Sequence, residues 1–184
     1  MEFRSERLIL RPWKAEDAQV LYELANDPDV GPDAGWPVHQ SEEESRQIIE
    51  SVLSNPLDFA ICLKETSTPI GAISLMVPKL KQREGASPYD KELGFWIGKP
   101  YWGHGYVEEA ANMLIDYGFE DLWLDQIWCA HYAGNSKSAR AQAKLGFCFF
   151  KTEEHVLVLL LGEFRDEVIN RMTREEWKAL RNAK

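Results

Sequence analysis

The sequence predicts one α+β domain, and three observations carry that expectation. Its 184 residues are 45% hydrophobic and 28% charged, enough for one core and too few for two. Runs rich in β-formers are interleaved with stretches of helical period, and two consecutive strand–turn–helix segments occupy the middle of the chain. The longest apolar run, Val156 to Leu161, is six residues, against roughly 20 for a membrane-spanning helix. Met1 to Arg7 alternates charges where a secretory signal would be apolar, so neither a targeting segment nor a membrane partner is expected, and the expected compartment is cytoplasmic. The domain is expected to span 1–184.

Leu8-Ile9-Leu10 reads as a short strand ended by Pro12, and Asp17 to Ala25 follows with apolar residues at helical spacing. Asn26-Asp27-Pro28 stops that helix, and Gly31 to Pro37 is a loop. Ser41 with Glu44 forms a capping box that opens a second helix toward Leu53, closed by Asn55-Pro56. Phe59 to Leu63 and Ile70 to Val77 are β-rich runs joined by a turn at Thr66 to Pro69, hence an antiparallel pair. The polar stretch from Lys79 to Asp90 is expected to be a loop and the least constrained part of the chain.

Leu93 to Ile97 is the next strand. Tyr106 to Phe119 repeats apolar residues as a helix packed on a sheet does. Gln126 to His131 is another strand, Ser136 to Leu145 a helix closed by Gly146, and Phe147 to Phe150 resumes β structure. Val156 to Leu161 and Glu167 to Met172 are expected as the final strands. A terminal helix then opens with Thr173 as N-cap and Glu176 as its box partner.

The formal charge is −9, which argues against nucleic acid as the principal partner because no basic run is available for phosphate contacts. The charge is uneven. From Ala15 to Asp58 there are eleven acids and one base, Arg46. That is either a solvated helix surface or a field that attracts cationic molecules. Cys62, Cys129 and Cys148 form no C-x-x-C pair, so neither a disulfide framework nor a structural zinc is suggested, and all three read as buried small hydrophobes. The four histidines lack the i, i+4 spacing of a helical metal site, and no metal is expected.

The sharpest chemical feature is Lys99-Pro100-Tyr101-Trp102-Gly103-His104-Gly105-Tyr106, a glycine-containing turn between a strand and a long helix. Glycines let backbone N–H groups converge on a ligand, and the helix N-terminus behind them adds partial positive charge, so the place suits a phosphate. It lacks the Gly-Lys-Ser/Thr ending of a triphosphate loop and the third glycine of a dinucleotide fingerprint. About 30 residues on come Asn135-x-x-Ser138 and Lys144-Leu145-Gly146-Phe147, and from Gly134 to Lys151 there are four bases and no acid.

Gly94-Phe95-Trp96-Ile97, Trp102 to Tyr106, Glu109-Ala110, Tyr117-Gly118-Phe119, Asn135-x-x-Ser138 and Lys144 to Phe147 together resemble the Gcn5-related N-acetyltransferases. The opening Arg7-Leu8-Ile9-Leu10-Arg11-Pro12 is similar to the branch that acetylates N-termini of ribosomal proteins. The resemblance covers nearly the whole chain. It implies a mixed, mostly antiparallel sheet of six to seven strands flanked by helices, with a V-shaped cleft between two splayed central strands.

Acetyl-CoA as cosubstrate is what that resemblance implies, with an amine acceptor. The strand Phe95-Trp96-Ile97 would offer backbone groups to the pantetheine amides. Amides from Trp102, Gly103, His104, Gly105, Tyr106 and Val107 would cradle the pyrophosphate. Where the family usually carries Arg or Gln before the turn, this chain has Pro100. Asn135, otherwise a natural N-cap, would hydrogen-bond the pantetheine arm, and Arg140 with its basic neighbours would assist the phosphates.

Acetyl transfer by direct attack needs a proton acceptor for the amine and a donor for the departing thiolate. Glu92 is the favoured base, with His39 and His131 as alternatives. Ser138 is the favoured thiolate donor, in place of the tyrosine often used by relatives. Trp36 and His39 are the candidates for the acceptor pocket, although an aromatic in such a loop can equally be a packing plug. A protein N-terminus is the expected acceptor. A cationic small molecule such as a polyamine or aminoglycoside, and a non-catalytic CoA-binding module, remain open as alternatives, as does the oligomeric state, a homodimer included.

Overall fold

The structure is a computed structural model that describes residues 1–79 and 83–183, which include eight strands and six α-helices. The chain divides into two units, Met1–Ser74 with Phe95–Met113 and Leu75–Gly94 with Leu114–Lys184. Each is described by itself.

The first unit opens with β1 (Phe3–Arg4) and β2 (Leu8–Arg11), paired antiparallel from Phe3 with Leu10. Strand β2 then pairs antiparallel with β3 (Asp58–Leu63), and β3 with β4 (Pro69–Met76), giving the order β1-β2-β3-β4 and then the end of β5 (Lys91–Ile97). Leu8, Leu10, Phe59 and Ile61 are fully buried, as are their intervening neighbours Ile9, Ala60 and Cys62 to within a few per cent. These strands therefore carry apolar residues on both faces. One of those faces is covered by α1 (Ala18–Ala25) and α3 (Glu42–Ser51), which pack Ala18, Leu21, Ala25 and Ile49 against Ile9, Ala60, Cys62 and Ala72. Each buried leucine or isoleucine among them contributes about 1.5–3 kcal/mol over an exposed one.

Two local expectations shift. The stretch from Gly31 to Pro37 contains a one-turn helix, α2 (Gly31–Ala34), with Pro32 in its first turn, where a missing N–H costs nothing. Ser41 does cap α3 by accepting the Glu44 N–H at 3.1 Å. The Glu44 carboxylate, however, accepts the Gln40 N–H, one residue earlier than a capping box would have it.

The second unit holds the first part of β5, the later part of α4 (Tyr106–Glu120), β6 (Gln126–Tyr132), α5 (Ser136–Leu145), β7 (Cys148–Val158), β8 (Glu163–Thr173) and α6 (Arg174–Asn182). Its strand order is β5-β6-β8-β7. Strands β5 and β6 are parallel, and their pairs run from Lys91–Ile127 to Leu93–Cys129, while β5 itself continues to Ile97 and β6 to Tyr132. Strands β6 and β8 pair antiparallel over seven residues, from Gln126–Thr173 to Tyr132–Glu167. The sheet is thus mixed and mostly antiparallel.

Helix α5 begins at Asn135 and ends at Gly146, and α6 carries the reciprocal capping box between Thr173 and Glu176. The runs 147–150 and 156–161, expected as separate strands, are parts of one long β7, which bends at register shifts between Phe149 and Lys151 and between Glu153 and Val156. Leu159 and Leu160 leave the strand for an exposed turn. Among the described residues there are eight strands instead of six to seven, because β1, two residues long, is too short to show a period.

Cys148 is a correction. It lies exposed at the start of β7, the outermost strand of its run, whereas Cys62 and Cys129 are buried. The stretch 79–90 is another. Leu80, Lys81 and Gln82 lie outside the described residues, but Arg83 is fully buried and bonded to two carboxylates. Far from being the least constrained residue of a loop, it is an anchor.

Candidate active site

The glycine turn lies in the first unit and begins where β5 ends. A single turn of 3-10 helix, Lys99–Tyr101, follows the strand, and the Trp102 indole Nε1 donates to the Ile97 carbonyl at 2.7 Å. That bond engages one of the strand carbonyls assigned to the pantetheine amides. The Trp102 amide itself donates to the Lys99 carbonyl at 3.3 Å, so the expected cradle of amides loses its first member.

The next five amides differ. Gly103 and Gly105 have φ of 80° and 76°, a left-handed conformation that glycine adopts without penalty. They turn the chain so that α4 starts at Tyr106. Among the described residues, the N–H groups of Gly103, His104, Gly105, Tyr106 and Val107 have no hydrogen-bond partner. A Cβ on Gly103 would meet nothing within 4 Å, and one on Gly105 only Arg7 Nη2 at 3.7 Å. Unpaired backbone donors at the start of a 15-residue helix carry partial positive charge, an arrangement that suits an anion.

The turn is held from its outer side by the N-terminal segment. Arg7 donates from Nη1 to the His104 carbonyl at 3.0 Å and from Nε to Glu109 Oε2 at 2.7 Å. The Arg7 amide and the Ser5 hydroxyl both donate to Glu109 Oε1, at 2.9 and 2.7 Å. Arg7 also lies 4.7 Å from the centre of the Tyr106 ring, which stacks at 5.5 Å on His104. Partial burial works to raise the Glu109 carboxyl, but the bonds from Ser5 and Arg7 outweigh it and hold the group below the ordinary glutamate range. Arg7 and Glu109 stand in the quoted motifs, yet nothing in the sequence pairs them, because their contact is 102 residues apart along the chain.

Trp36 and His39 also lie in the first unit. Trp36 packs its edge on Trp96 at 5.6 Å and lies 5.2 Å from His39. The Trp36 ring fits over Gly31, where a Cβ would come within 2.5 Å of it. His39 is buried and shares a 2.8 Å hydrogen bond with Ser45 through Nδ1. Burial lowers its pKa, with Glu44 opposing. The structure thus joins three sequence-selected residues, Trp36, His39 and Trp96, in one aromatic cluster.

In the second unit, Glu92 is buried on β5 and faces Arg83. Arg83 Nη2 donates to Glu92 Oε1 at 2.6 Å and Nε to Oε2 at 3.2 Å, while Nη1 donates to Glu167 Oε2 at 3.0 Å. Lys79 Nζ completes the group on Glu167 Oε1 at 2.9 Å. Burial works to raise the Glu167 carboxyl, and the bonds and charges of Arg83 and Lys79 reverse it, leaving the carboxyl below its ordinary value. Arg83 and Glu167 were invisible as site residues in the sequence, since neither lies in a motif.

Asn135 accepts the Ser138 N–H at 3.0 Å as the N-cap of α5. Ser138 is half-buried, and its Oγ receives Gln142 Nε2 at 3.0 Å, whereas Arg140 is exposed on the same helix. His131 shares a hydrogen bond of 3.1 Å with the neighbouring Tyr132 carbonyl. Burial pushes the Cys62 thiol up to about 11 and raises the Cys129 thiol well above its ordinary value, so neither supplies a thiolate near neutrality. Among the described residues no group of three or more His, Cys, Asp or Glu is placed to hold a metal ion, and no helix is long and apolar enough to cross a membrane.

The family model described as Acetyltransferase (GNAT) domain matches residues 7–148. The uncharacterized N-acetyltransferase p20 of Bacillus licheniformis is 31% identical over 148 residues, which is 78% of this chain and 80% of that protein. A crystal structure of an acetyltransferase of the GNAT family from Bacillus anthracis matches with a TM-score of 0.81 at 22% identity, over 95% of this chain and 99% of that one. The ribosomal-protein-S5-alanine acetyltransferase from Vibrio fischeri matches with a TM-score of 0.70 at 22% identity, over 96% and 98%. The matched span includes the anchoring Arg7, the glycine turn, Glu92 and the Asn135–Ser138 cap, and with it the chain belongs to the GNAT acetyltransferase family.

Proposed function

We propose that this acetyl-CoA-dependent acetyltransferase acts as one catalytic domain over 1–184 and moves the acetyl group to the primary amine of a protein N-terminus by direct attack. The observation that carries the cofactor half is the run of five unpartnered amides, Gly103 to Val107, at the start of α4. They fit a pyrophosphate, whose oxygens accept several such bonds at once. Phe95, Trp96 and Ile97 lead into that turn and offer backbone groups to the pantetheine amides, with the Ile97 carbonyl shared with Trp102. In the second unit Asn135 serves the pantetheine arm and Arg140 the phosphates.

Acetyl-CoA supplies the activated thioester carbonyl. Glu92 receives the proton that the attacking nitrogen sheds, directly or through water, and Arg83 holds its carboxylate in one orientation. Ser138 donates a hydrogen bond to the sulfur as the carbon–sulfur bond breaks. Trp36 and His39 line the place of the acceptor. The resemblance of the opening Arg7 to Pro12 to the ribosomal-protein branch supports a protein N-terminus. The second reading is a cationic small molecule, favoured by the eleven acids against one base between Ala15 and Asp58.

A thiol-release assay with acetyl-CoA and a panel of peptide N-termini, polyamines, aminoglycosides and amino acids tests both. Turnover with peptides whose N-terminus is free, and none once it is blocked, is the expected result. Preference for polyamines would transfer the assignment to the second reading, and acetyl-CoA binding without turnover on any amine would leave a non-catalytic module.

A further inference from the structure

Gln142 is 1% exposed in the middle of α5, where a polar side chain must find partners for every polar atom. Its Nε2 donates to the Ala130 carbonyl at 2.9 Å and to Ser138 Oγ at 3.0 Å, and its Oε1 accepts Asn170 Nδ2 at 2.6 Å. Asn170, on β8, is itself buried. The Ala130 carbonyl can only accept, so it fixes which end of the Gln142 amide faces Ser138. Reversing that amide would set oxygen against oxygen at Ala130 and nitrogen against nitrogen at Asn170.

A serine hydroxyl has one hydrogen to give and two lone pairs to receive with. With one lone pair of Ser138 taken by Gln142, the hydroxyl hydrogen cannot point at Gln142. Among the described residues it has no acceptor. The bond a helical serine can make back to the carbonyl four residues earlier, here Gly134, is not made either.

We infer that Gln142, backed by Asn170, is a positioning residue that keeps Ser138 a hydrogen-bond donor to the departing thiolate. The inference rests on the role of Ser138 proposed above. As the carbon–sulfur bond breaks, its electron pair goes to sulfur, the proton lost by the amine goes to Glu92, and the Ser138 hydrogen bond stabilises the new negative charge without being transferred.

The test compares Ser138→Ala, Gln142→Glu and Gln142→Met with the wild type, using acetyl-CoA and an acetyl thioester of an electron-poor aryl thiol. Gln142→Glu keeps the side-chain length but presents an acceptor, so Ser138 would donate to it. Its kcat with acetyl-CoA should fall about as far as that of Ser138→Ala, on the order of 10²-fold as for loss of one preorganised donor. With the aryl donor, whose thiolate leaves unaided, the loss for both should nearly vanish in kcat/KM. Gln142→Met leaves Ser138 free to rotate and should give a smaller loss with the same donor dependence; it decides the matter if Gln142→Glu does not fold. Equal losses with both donors would reduce Gln142 to a packing role and overturn the inference. Wild-type kcat in the Gln142 variants beside an impaired Ser138→Ala would overturn it while leaving the role of Ser138 intact, and a fully active Ser138→Ala would sink that role and the inference with it.

Discussion

Arg83 Nη2 lies 2.6 Å from Glu92 Oε1 with the guanidinium fully buried, and Glu167 holds the other end of the same side chain at 3.0 Å. A buried cation between two carboxylates is costly to assemble and more costly to break, since removing it leaves Glu92 without its counter-charge and Glu167 with Lys79 alone. Arg83→Met should therefore lower stability by roughly 3–5 kcal/mol. The triple variant Arg83→Met, Glu92→Gln, Glu167→Gln should recover most of it, because no buried charge is left unpaired and the half-exposed Lys79 ammonium keeps its water. Urea denaturation of both proteins checks the order, and a triple variant no more stable than the single one would show that shape, not charge, is at stake.

Gly105→Val addresses the cofactor turn. A β-branched residue at φ of 76° costs about 1–3 kcal/mol, and its side chain would crowd the amides of the turn. Calorimetric titration should show acetyl-CoA affinity at least about tenfold weaker, equivalent to about 1.4 kcal/mol, in a protein that still melts cooperatively. Unchanged affinity would mean that the pyrophosphate lies elsewhere.

Glu92→Gln should reduce kcat by about 10²–10⁴-fold with acetyl-CoA affinity nearly intact. The deficit should narrow as pH rises, since more of the amine is then neutral without help. Its stability falls too, for Arg83 loses its closest anion, so the assay belongs well below the melting temperature of the variant. A variant as active as the wild type at every pH would pass the role of base to His39, His131 or water.

His39 predicts a pH dependence of stability. Its pKa is lowered by burial, so the folded state prefers the neutral ring. The stability it contributes is fully present above the ordinary histidine value near 6.5 and is lost as pH falls from there through the lowered folded value. The melting temperature should decline over that window, and His39→Gln should flatten the decline. Thermal melts at half-unit steps from pH 7.5 to pH 5 compare the two.

What was legible in the sequence was whatever local chemistry determines. Ser41, Asn135 and Thr173 announce their helices because a side-chain oxygen meets amides two or three residues on, and each of these caps is made. The turn at Gly103 and Gly105 was legible for the same reason, as two glycines before a helical period. The bend of β7 was not, since a register shift is set by the partner strand β8. Nor was Arg83, whose two carboxylates are 9 and 84 residues away. A polar stretch reads as solvated surface until the fold brings Glu167 to it. Gln142 was hidden likewise, as its partner Asn170 lies 28 residues beyond it.

Neither unit is a continuous piece of chain, and this has a consequence for biosynthesis. The first unit is complete only after Met113 has emerged, while Leu75–Gly94, made earlier, waits for residues beyond Leu114. Arg83 can meet Glu92 almost at once, nine residues later, but Glu167 is translated 84 residues after it. At about 5–20 residues per second that is a delay of roughly 4–17 s. During this interval a guanidinium destined for the interior has half of its counter-charge, and β6, once made, has no β8 to pair with. The ribosome-bound chain thus exposes an unpaired strand edge until β8 arrives, and that interval is when it is most open to non-native pairing.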